Sequence, residues 1–341
     1  MKKFKRLALI AVIALIWGSI GVANASGKVI KLTYANFFPS SHIQSKLAES
    51  WIKEIESETN GRVEITYYPG GSLLKGPNIF DGVLNGIADI GMSCFAYTSG
   101  RFPIMGAVDL PLGYPNAITA TKVINEYYRI FKPKELSGVK VLYLHAHGPG
   151  LLHSKKKITK LEDLKGLKIR TTGLSAKVAK ALGAIPIAMS QGMAYEALQR
   201  GVVEATFAPM EVLKGWRQAE VVKYTVMCTD IGYTTGMYVI MNKRKWETLP
   251  ADVKKIFEKV SQEWIEKHGK AWDESDREGK AYAESLGNKF IYLSKEESAR
   301  WVRKVKPIIE EYASELQKKG LPGEKCVRVL ERLIKKGSAQ K

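Results

Sequence analysis

Cysteine is scarce in this chain: three in 341 residues, at positions 94, 228 and 326. None stands in C-x-x-C spacing, and an odd count leaves at least one thiol free. The three read best as unpaired, mostly buried thiols that behave as small apolar side chains. Histidine is equally sparse, five in all. No H-E-x-x-H or mixed His/Cys spacing points to a metal centre. Nucleotide motifs are missing too: Pro69-Gly70-Gly71 is a turn signal that lacks both G-x-G-x-x-G and P-loop spacing. There is no nucleophile elbow and no S-x-x-K set. Beyond the first 25 residues no apolar run is long enough to cross a bilayer. Acidic residues are outnumbered, 34 against 53 basic, for a net charge of +19. The basic residues are scattered along amphipathic helical stretches and never form a run interleaved with aromatics. Nucleic acid is therefore not the expected partner, and small anions or anionic surfaces are.

What is present begins with export. Lys2, Lys3, Lys5 and Arg6 precede an apolar run from Leu7 to Trp17, and Ala23-Asn24-Ala25 forms an A-x-A site. This is the pattern of a cleavable signal peptide, residues 1–25, with cleavage after Ala25. Periplasmic release follows as the expectation, and it removes those four positive charges. The mature chain is long enough for two domains.

A strand is expected over Val29–Tyr34, then a helix with the stripe Ile43, Leu47, Trp51, Ile52 and Ile55. A second strand follows at Val63–Tyr67, a short helix at Ile79–Leu84, and a third strand at Ile90–Ser93. Helix 117–131 and strand 140–145 come next, and His147-Gly148-Pro149-Gly150 breaks the pattern. Strands are expected at 185–187, 205–207, 221–227, 237–241 and 290–292. Residues 250–286 read as one long helix without proline, a length unusual for a single small domain. Helices over 295–316 and 323–334 complete the chain, and the basic tail 335–341 is expected to fray. Two α/β units are implied, because LNGIADIGM (84–92) and LQRGVVEATFAPM (198–210) share one plan: helix, glycine stop, acid, strand. Asp89 and Glu204, the acids of that plan, read as strand openers rather than catalysts.

The segment LEDLKGLKIRTTG, Leu161 to Gly173, organises the rest. Gly166 breaks a helical turn, and Leu167 and Ile169 alternate with Lys168 and Arg170 in a short strand. Arg170 then stands at the carboxyl end of a parallel strand, where open α/β sheets bind ligands. A guanidinium there can hold a carboxylate through two parallel hydrogen bonds, a geometry lysine does not reproduce. The plain alternative is a surface arginine at a sheet edge.

Taken in order, GRVEITYYPGGSL, LNGIADIG, LEDLKGLKIRTTG, ALQRGVVEATFAP and the long helix after Leu249-Pro250 resemble the DctP-type extracytoplasmic solute receptors of tripartite ATP-independent periplasmic (TRAP) transporters. The resemblance covers nearly the whole mature chain. It implies an α/β, two-lobed periplasmic-binding-protein-like fold, each lobe a mixed β-sheet flanked by helices, with a long helix spanning both. The lobes are expected at 26–147 and 235–270 for the first, and at 148–234 and 271–341 for the second. The resemblance also implies a monomer without cofactor or metal that passes its ligand to small and large integral-membrane subunits. The family's carboxylate-binding arginine matches Arg170, and Asn36 matches a pocket asparagine. Other polar positions of the sialic-acid members are replaced. Ala208 stands for an asparagine, Cys94 for a glutamate, and His147-Gly148-Pro149-Gly150 carries no second arginine. A pocket stripped of those hooks favours a less polar monocarboxylate, aromatic or branched, since an unpaired ligand polar group is costly when buried. Phe95, Phe207, Met210 and Tyr233 are candidate walls, and Tyr97 and His147 candidate hydrogen-bonding groups. Trp216 reads as lobe packing.

Three other readings compete. A secreted hydrolase would pair Cys94 with His145 or His147, or Ser154 with His153. A receptor of an ATP-driven transporter or a sensor would share the two-lobe plan.

Overall fold

Eleven strands form among the described residues, 28–338, in a computed structural model. In chain order they are β1 (Ile30–Asn36), β2 (Val63–Tyr68), β3 (Ile90–Cys94), β4 (Val139–Ala146), β5 (Leu151–Ser154), β6 (Lys168–Thr171), β7 (Ile185–Ala188), β8 (Ala205–Ala208), β9 (Tyr224–Met227), β10 (Gly236–Asn242) and β11 (Lys289–Tyr292). The expected signal peptide and residues 339–341 of the basic tail lie outside the described residues. No described helix is long and apolar enough to cross a membrane.

The strands build two mixed sheets, ordered β2-β1-β3-β10-β4 and β11-β9-β5-β8-β6-β7. The two-lobed α/β architecture expected from the sequence is the one that forms. In the first sheet β1 runs parallel to β2 and β3, and β10 runs antiparallel to β3 and β4. In the second, β6 is parallel to β7 and β8, while β5 is antiparallel to β8 and β9. The chain leaves the first sheet after Ala146, enters the second at Leu151, and returns at Gly236. The parallel strands of both sheets therefore end toward one region, where ligand crevices lie in open α/β folds.

Helix Ala251–Ser285 joins the two halves. Its 35 residues span ~52 Å at 1.5 Å per residue. It packs on helices Ile43–Glu58 and Ala117–Phe131 and on β4, and further along on the short helix Val212–Gly215. Two acids one turn apart tie it to both lobes. Asp273 accepts the Ala117 N–H at 2.7 Å and the Ile118 N–H at 3.3 Å, at the open start of helix Ala117–Phe131. A carboxylate there satisfies orphan donors and complements the helix dipole. Asp276 accepts the Glu211 N–H at 2.8 Å in the second lobe.

The structure corrects several details. Ile43 is exposed, while Gln44 and Ser45 are buried. The first turn of that helix faces the lobe junction: Ser45 Oγ donates to the Phe38 carbonyl, and Gln44 Oε1 meets His268 Nδ1. Val221 belongs to a turn, and the strand after it starts at Tyr224. Residues 335–338 are helical, not frayed, because helix Gly323–Ser338 packs on helix Ala117–Phe131. The last helix packs as well on helix Lys295–Lys318.

All five histidines are buried, at 3% exposure or less. His153 shows the cost of that burial. Its Nε2 faces the Ala208 and Pro209 carbonyls at 3.2 and 3.1 Å, so Nε2 carries the proton and Nδ1 accepts from the Thr225 hydroxyl at 2.9 Å. Burial pushes its pKa down from 6.5 to about 4, against the opposing pull of the two carbonyls. The unfolded chain therefore takes up a proton first as pH falls, so stability is lost between pH 6.5 and about 4. The difference is worth ~3 kcal/mol. Urea unfolding of wild type and His153→Gln at pH 7 and pH 4 should show the wild-type advantage shrinking by ~3 kcal/mol at the lower pH. An advantage independent of pH would contradict a neutral buried His153.

Candidate functional site

Arg170 lies opposite Ile187 and Thr206 near the carboxyl end of β6. Strand alternation put Lys168 and Arg170 on one face, yet Lys168 is exposed and Arg170 is 4% exposed. The other lobe covers the end of the strand and not its beginning. Gly173, just beyond, marks the contact. Its φ is +53°, and a Cβ there would stand 2.8 Å from the Ala96 Cβ of the first lobe. That spacing excludes any side chain. The guanidinium is held from behind: Nε donates to the Met189 carbonyl at 3.1 Å and Nη1 to the Phe207 carbonyl at 3.4 Å. Among the described residues no carboxylate pairs with it. Nη2 makes no hydrogen bond among the described residues, and Arg170 lines the cleft.

Between the lobes lies a narrow cleft, largely filled by its own side chains. Seven of the ten residues named from sequence line it: Arg170, Cys94, Tyr97, His147, Phe207, Ala208 and Tyr233. Six of them sit at or just past the carboxyl ends of β3, β4, β6 and β8. Polar contacts cross from lobe to lobe beside the cleft. The Tyr97 hydroxyl accepts the Gln191 N–H at 3.0 Å, and His42 Nε2 meets Glu211 Oε2 at 2.9 Å. His147 is pushed down to about 4 by burial, partly restored by the Gly148 carbonyl and lowered again by the Arg170 charge. Its Nδ1 faces that carbonyl and so carries the proton, which leaves Nε2 as an acceptor.

Three named residues are placed elsewhere. Asn36 is wholly buried, donating to the Tyr67 hydroxyl at 2.8 Å and accepting the Phe38 N–H at 3.0 Å, so it shapes the turn into the cleft instead of lining it. Phe95 turns into the first lobe's core against Phe102 and Tyr238. Met210 is 6% exposed, and its carbonyl lies against Gly279 of the long helix.

Sequence reasoning missed Phe37, Phe38, Thr172, Gln191, Glu211 and Trp272, and it read Trp216 as packing. All line the cleft. Phe37 and Phe38 follow β1 directly, so the strand-end rule that selected Arg170 would have found them. Trp272 carried no signal, because a buried face of a long helix looks the same whether it meets core or cleft. The rings form a continuous wall. Phe38 contacts His42, Trp216 and Trp272 with centroids at 4.4, 5.8 and 5.8 Å, and Phe37 lies nearly parallel to Trp216 at 6.3 Å. Thr172 Oγ1, Gln191 Nε2 and Trp216 Nε1 are buried without a hydrogen-bond partner among the described residues.

The pairs named for a hydrolase do not form. Cys94 contacts neither histidine as a hydrogen-bond partner. His145 instead accepts from Trp272 Nε1 at 3.0 Å and stacks on His268 at 4.4 Å. Ser154 Oγ accepts the Lys156 N–H, and His153 is committed to Thr225.

Two α/β lobes around a cleft at strand ends, bound by a helix common to both, define a solute receptor of the periplasmic-binding type. The family model for bacterial extracellular solute-binding protein, family 7 (DctP), matches residues 34–315. The chain belongs to that family, the extracytoplasmic receptors of TRAP transporters for small organic acids. A TRAP periplasmic solute binding protein from Desulfovibrio salexigens is 34% identical with a TM-score of 0.79, over 90% of this chain and 96% of that one. Its structure is an open complex with the C-terminus of a symmetry mate in the ligand-binding site. A marine metagenome TRAP solute binding protein from an unidentified microbe, specific for aromatic acid ligands and solved with 3-hydroxybenzoate, is 28% identical with a TM-score of 0.86, over 91% and 99%. The C4-dicarboxylate-binding periplasmic protein DctP of Rhodobacter capsulatus is 29% identical, over 76% of this chain and 80% of that protein.

The thiols give a direct test of burial. Cys94, Cys228 and Cys326 are free and at most 3% exposed. Burial raises all three, Cys228 to about 12. Thiolate is the reactive form, so titration with a disulfide reagent at pH 8 should find the folded protein unreactive over minutes and three thiols after denaturation. Rapid labelling of Cys94 in the folded state would reopen nucleophilic chemistry.

Proposed function

We propose that the receptor captures an aromatic monocarboxylate, whose carboxylate Arg170 holds, and delivers it to the small and large membrane subunits of a TRAP transporter. The observation that carries this is the Arg170 guanidinium, 4% exposed and without a carboxylate partner among the described residues. A buried, uncompensated charge is strongly unfavourable, and a ligand anion supplies the compensation. Gln191 Nε2 and Thr172 Oγ1, buried and unpartnered in the same cleft, are further donors to that anion. The aromatic preference is supported by the Phe37, Phe38, Trp216 and Trp272 wall. The second arginine that a dicarboxylate or sugar acid calls for has no counterpart along it. The aromatic-acid ligands of the marine metagenome relative point the same way, while the Rhodobacter relative binds C4-dicarboxylates.

Protein refolded from denaturant, to strip copurified ligand, is the right material for calorimetry with benzoate, 3-hydroxybenzoate and succinate. The aromatic acids should bind and succinate should not. Hydrogen bonds to a charged group are worth ~1.5–3 kcal/mol each, so Arg170→Ala should weaken binding about a hundredfold or more. Arg170→Lys should recover only part, because an ammonium cannot present the parallel fork. Undiminished binding by Arg170→Ala would overturn the assignment.

A further inference from the structure

Arg170 supplies positive charge to the cleft, but the cleft also holds an acid. The Glu211 side chain is 3% exposed and lines the same space. Its backbone is pinned by Asp276, which accepts the Glu211 N–H at 2.8 Å. Its Oε2 takes one hydrogen bond, from His42 Nε2 at 2.9 Å. His42 Nδ1 meanwhile accepts the Gln44 N–H at 3.1 Å as the cap of helix Ile43–Glu58. With Nδ1 occupied as an acceptor, the single imidazole proton sits on Nε2, and His42 serves Glu211 as a neutral donor. Nearby cations are engaged elsewhere: Lys46 with Glu49, Lys214 with Glu278, and Arg217 with Glu220. Glu211 Oε1 has no hydrogen bond among the described residues. Phe38 and Trp216 flank the pair, at 4.4 and 5.8 Å from the His42 ring, so it adjoins the aromatic wall.

We infer that Glu211, held by His42, is the specificity-determining residue of the cleft: it accepts a hydrogen bond from a hydroxyl or amino substituent on the ligand ring and repels a second carboxylate. This rests on the aromatic monocarboxylate reading and goes beyond it by assigning the substituent. An acceptor with a full charge rewards a donor, since charge-assisted bonds are the strong ones. The same charge penalises an added anion in a desolvated site, and discrimination is commonly built from such a repulsive element. A pocket of the same shape without Glu211 would select by size alone.

The test is calorimetry of the refolded full-length mature chain and its Glu211→Gln variant. The probes are benzoate, 3- and 4-hydroxybenzoate, and their dicarboxylate counterparts isophthalate and terephthalate. In wild type, one hydroxybenzoate should bind about tenfold or more tighter than benzoate, and the matching dicarboxylate about a hundredfold weaker than that hydroxybenzoate. In Glu211→Gln this second ratio should collapse to about tenfold or less. Glu211 also bridges the lobes, and any general weakening of closure lowers every probe alike and cancels in the ratio. A ratio unchanged by the substitution overturns the inference, as does a wild-type ratio near one, which decides the matter even if the variant fails to fold. If wild type binds none of the aromatic acids, the parent reading falls and this one with it. If benzoate binds through Arg170 and only the ratio fails, the parent reading stands alone.

Discussion

A guanidinium buried at the end of a β-strand is an expensive object, and much of the molecule is arranged around that expense. Two backbone carbonyls, from Met189 and Phe207, take hydrogen bonds from Nε and Nη1 of Arg170. They fix the plane of the fork without neutralising its charge. Carbonyl dipoles recover part of the lost hydration, and the remainder is recoverable only from an anion. The strands that carry those carbonyls must end beside Arg170. The pairing of β6 with β7 and β8 brings them there. The site is therefore a property of sheet order, with strands distant in sequence delivering their ends to one point.

The second constraint is the junction between lobes. Helix Ala251–Ser285 anchors one lobe through Asp273 and the other through Asp276, within a single turn. The lobes also meet through polar contacts, Tyr97 to Gln191 and His42 to Glu211, the latter at the residue whose N–H Asp276 holds. Such contacts exchange water partners for protein ones and yield ~1 kcal/mol when neutral and ~1.5–3 kcal/mol when one partner is charged. On the proposed function, the ligand adds its own contacts to these. Ligand binding shifts the balance by its differential contacts with the closed form, and a bound anion contributes the largest of these.

The sequence made some of this legible and hid the rest for physical reasons. The long helix, the two-lobe plan and Arg170 were visible because each leaves a local trace: an unbroken helical pattern, a repeated helix–glycine–acid–strand order, and a glycine-bounded alternating strand. Seven cleft residues followed from strand ends and family likeness. Asn36, Phe95 and Met210 failed because proximity in sequence to a strand end does not say which way a side chain turns. Phe95 points into the first lobe's core and Asn36 into a turn. Trp272 and the His42–Glu211 pair were invisible in another way. His42 and Glu211 are 169 positions apart, and Glu211 lies just past the 198–210 motif, not within it. Only the closing of one lobe on the other brings them together.

The charge pattern joins the outside of the molecule to its interior. A basic surface draws anions of every kind toward the protein, a long-range effect that cannot tell one carboxylate from another. Discrimination has to occur where water is excluded, since only there does a single charge act at full strength on a single group. The cleft supplies both signs in that setting, Arg170 at 4% exposure and Glu211 at 2%. Aromatic rings line the same cleft, and no other lining side chain is an acid, lysine or arginine. A small acid with one anionic end and a flat apolar body satisfies the first charge without meeting the second. A dianion of the same length satisfies one only by confronting the other, so capture by surface charge and selection by buried charge are separate steps governed by different physics.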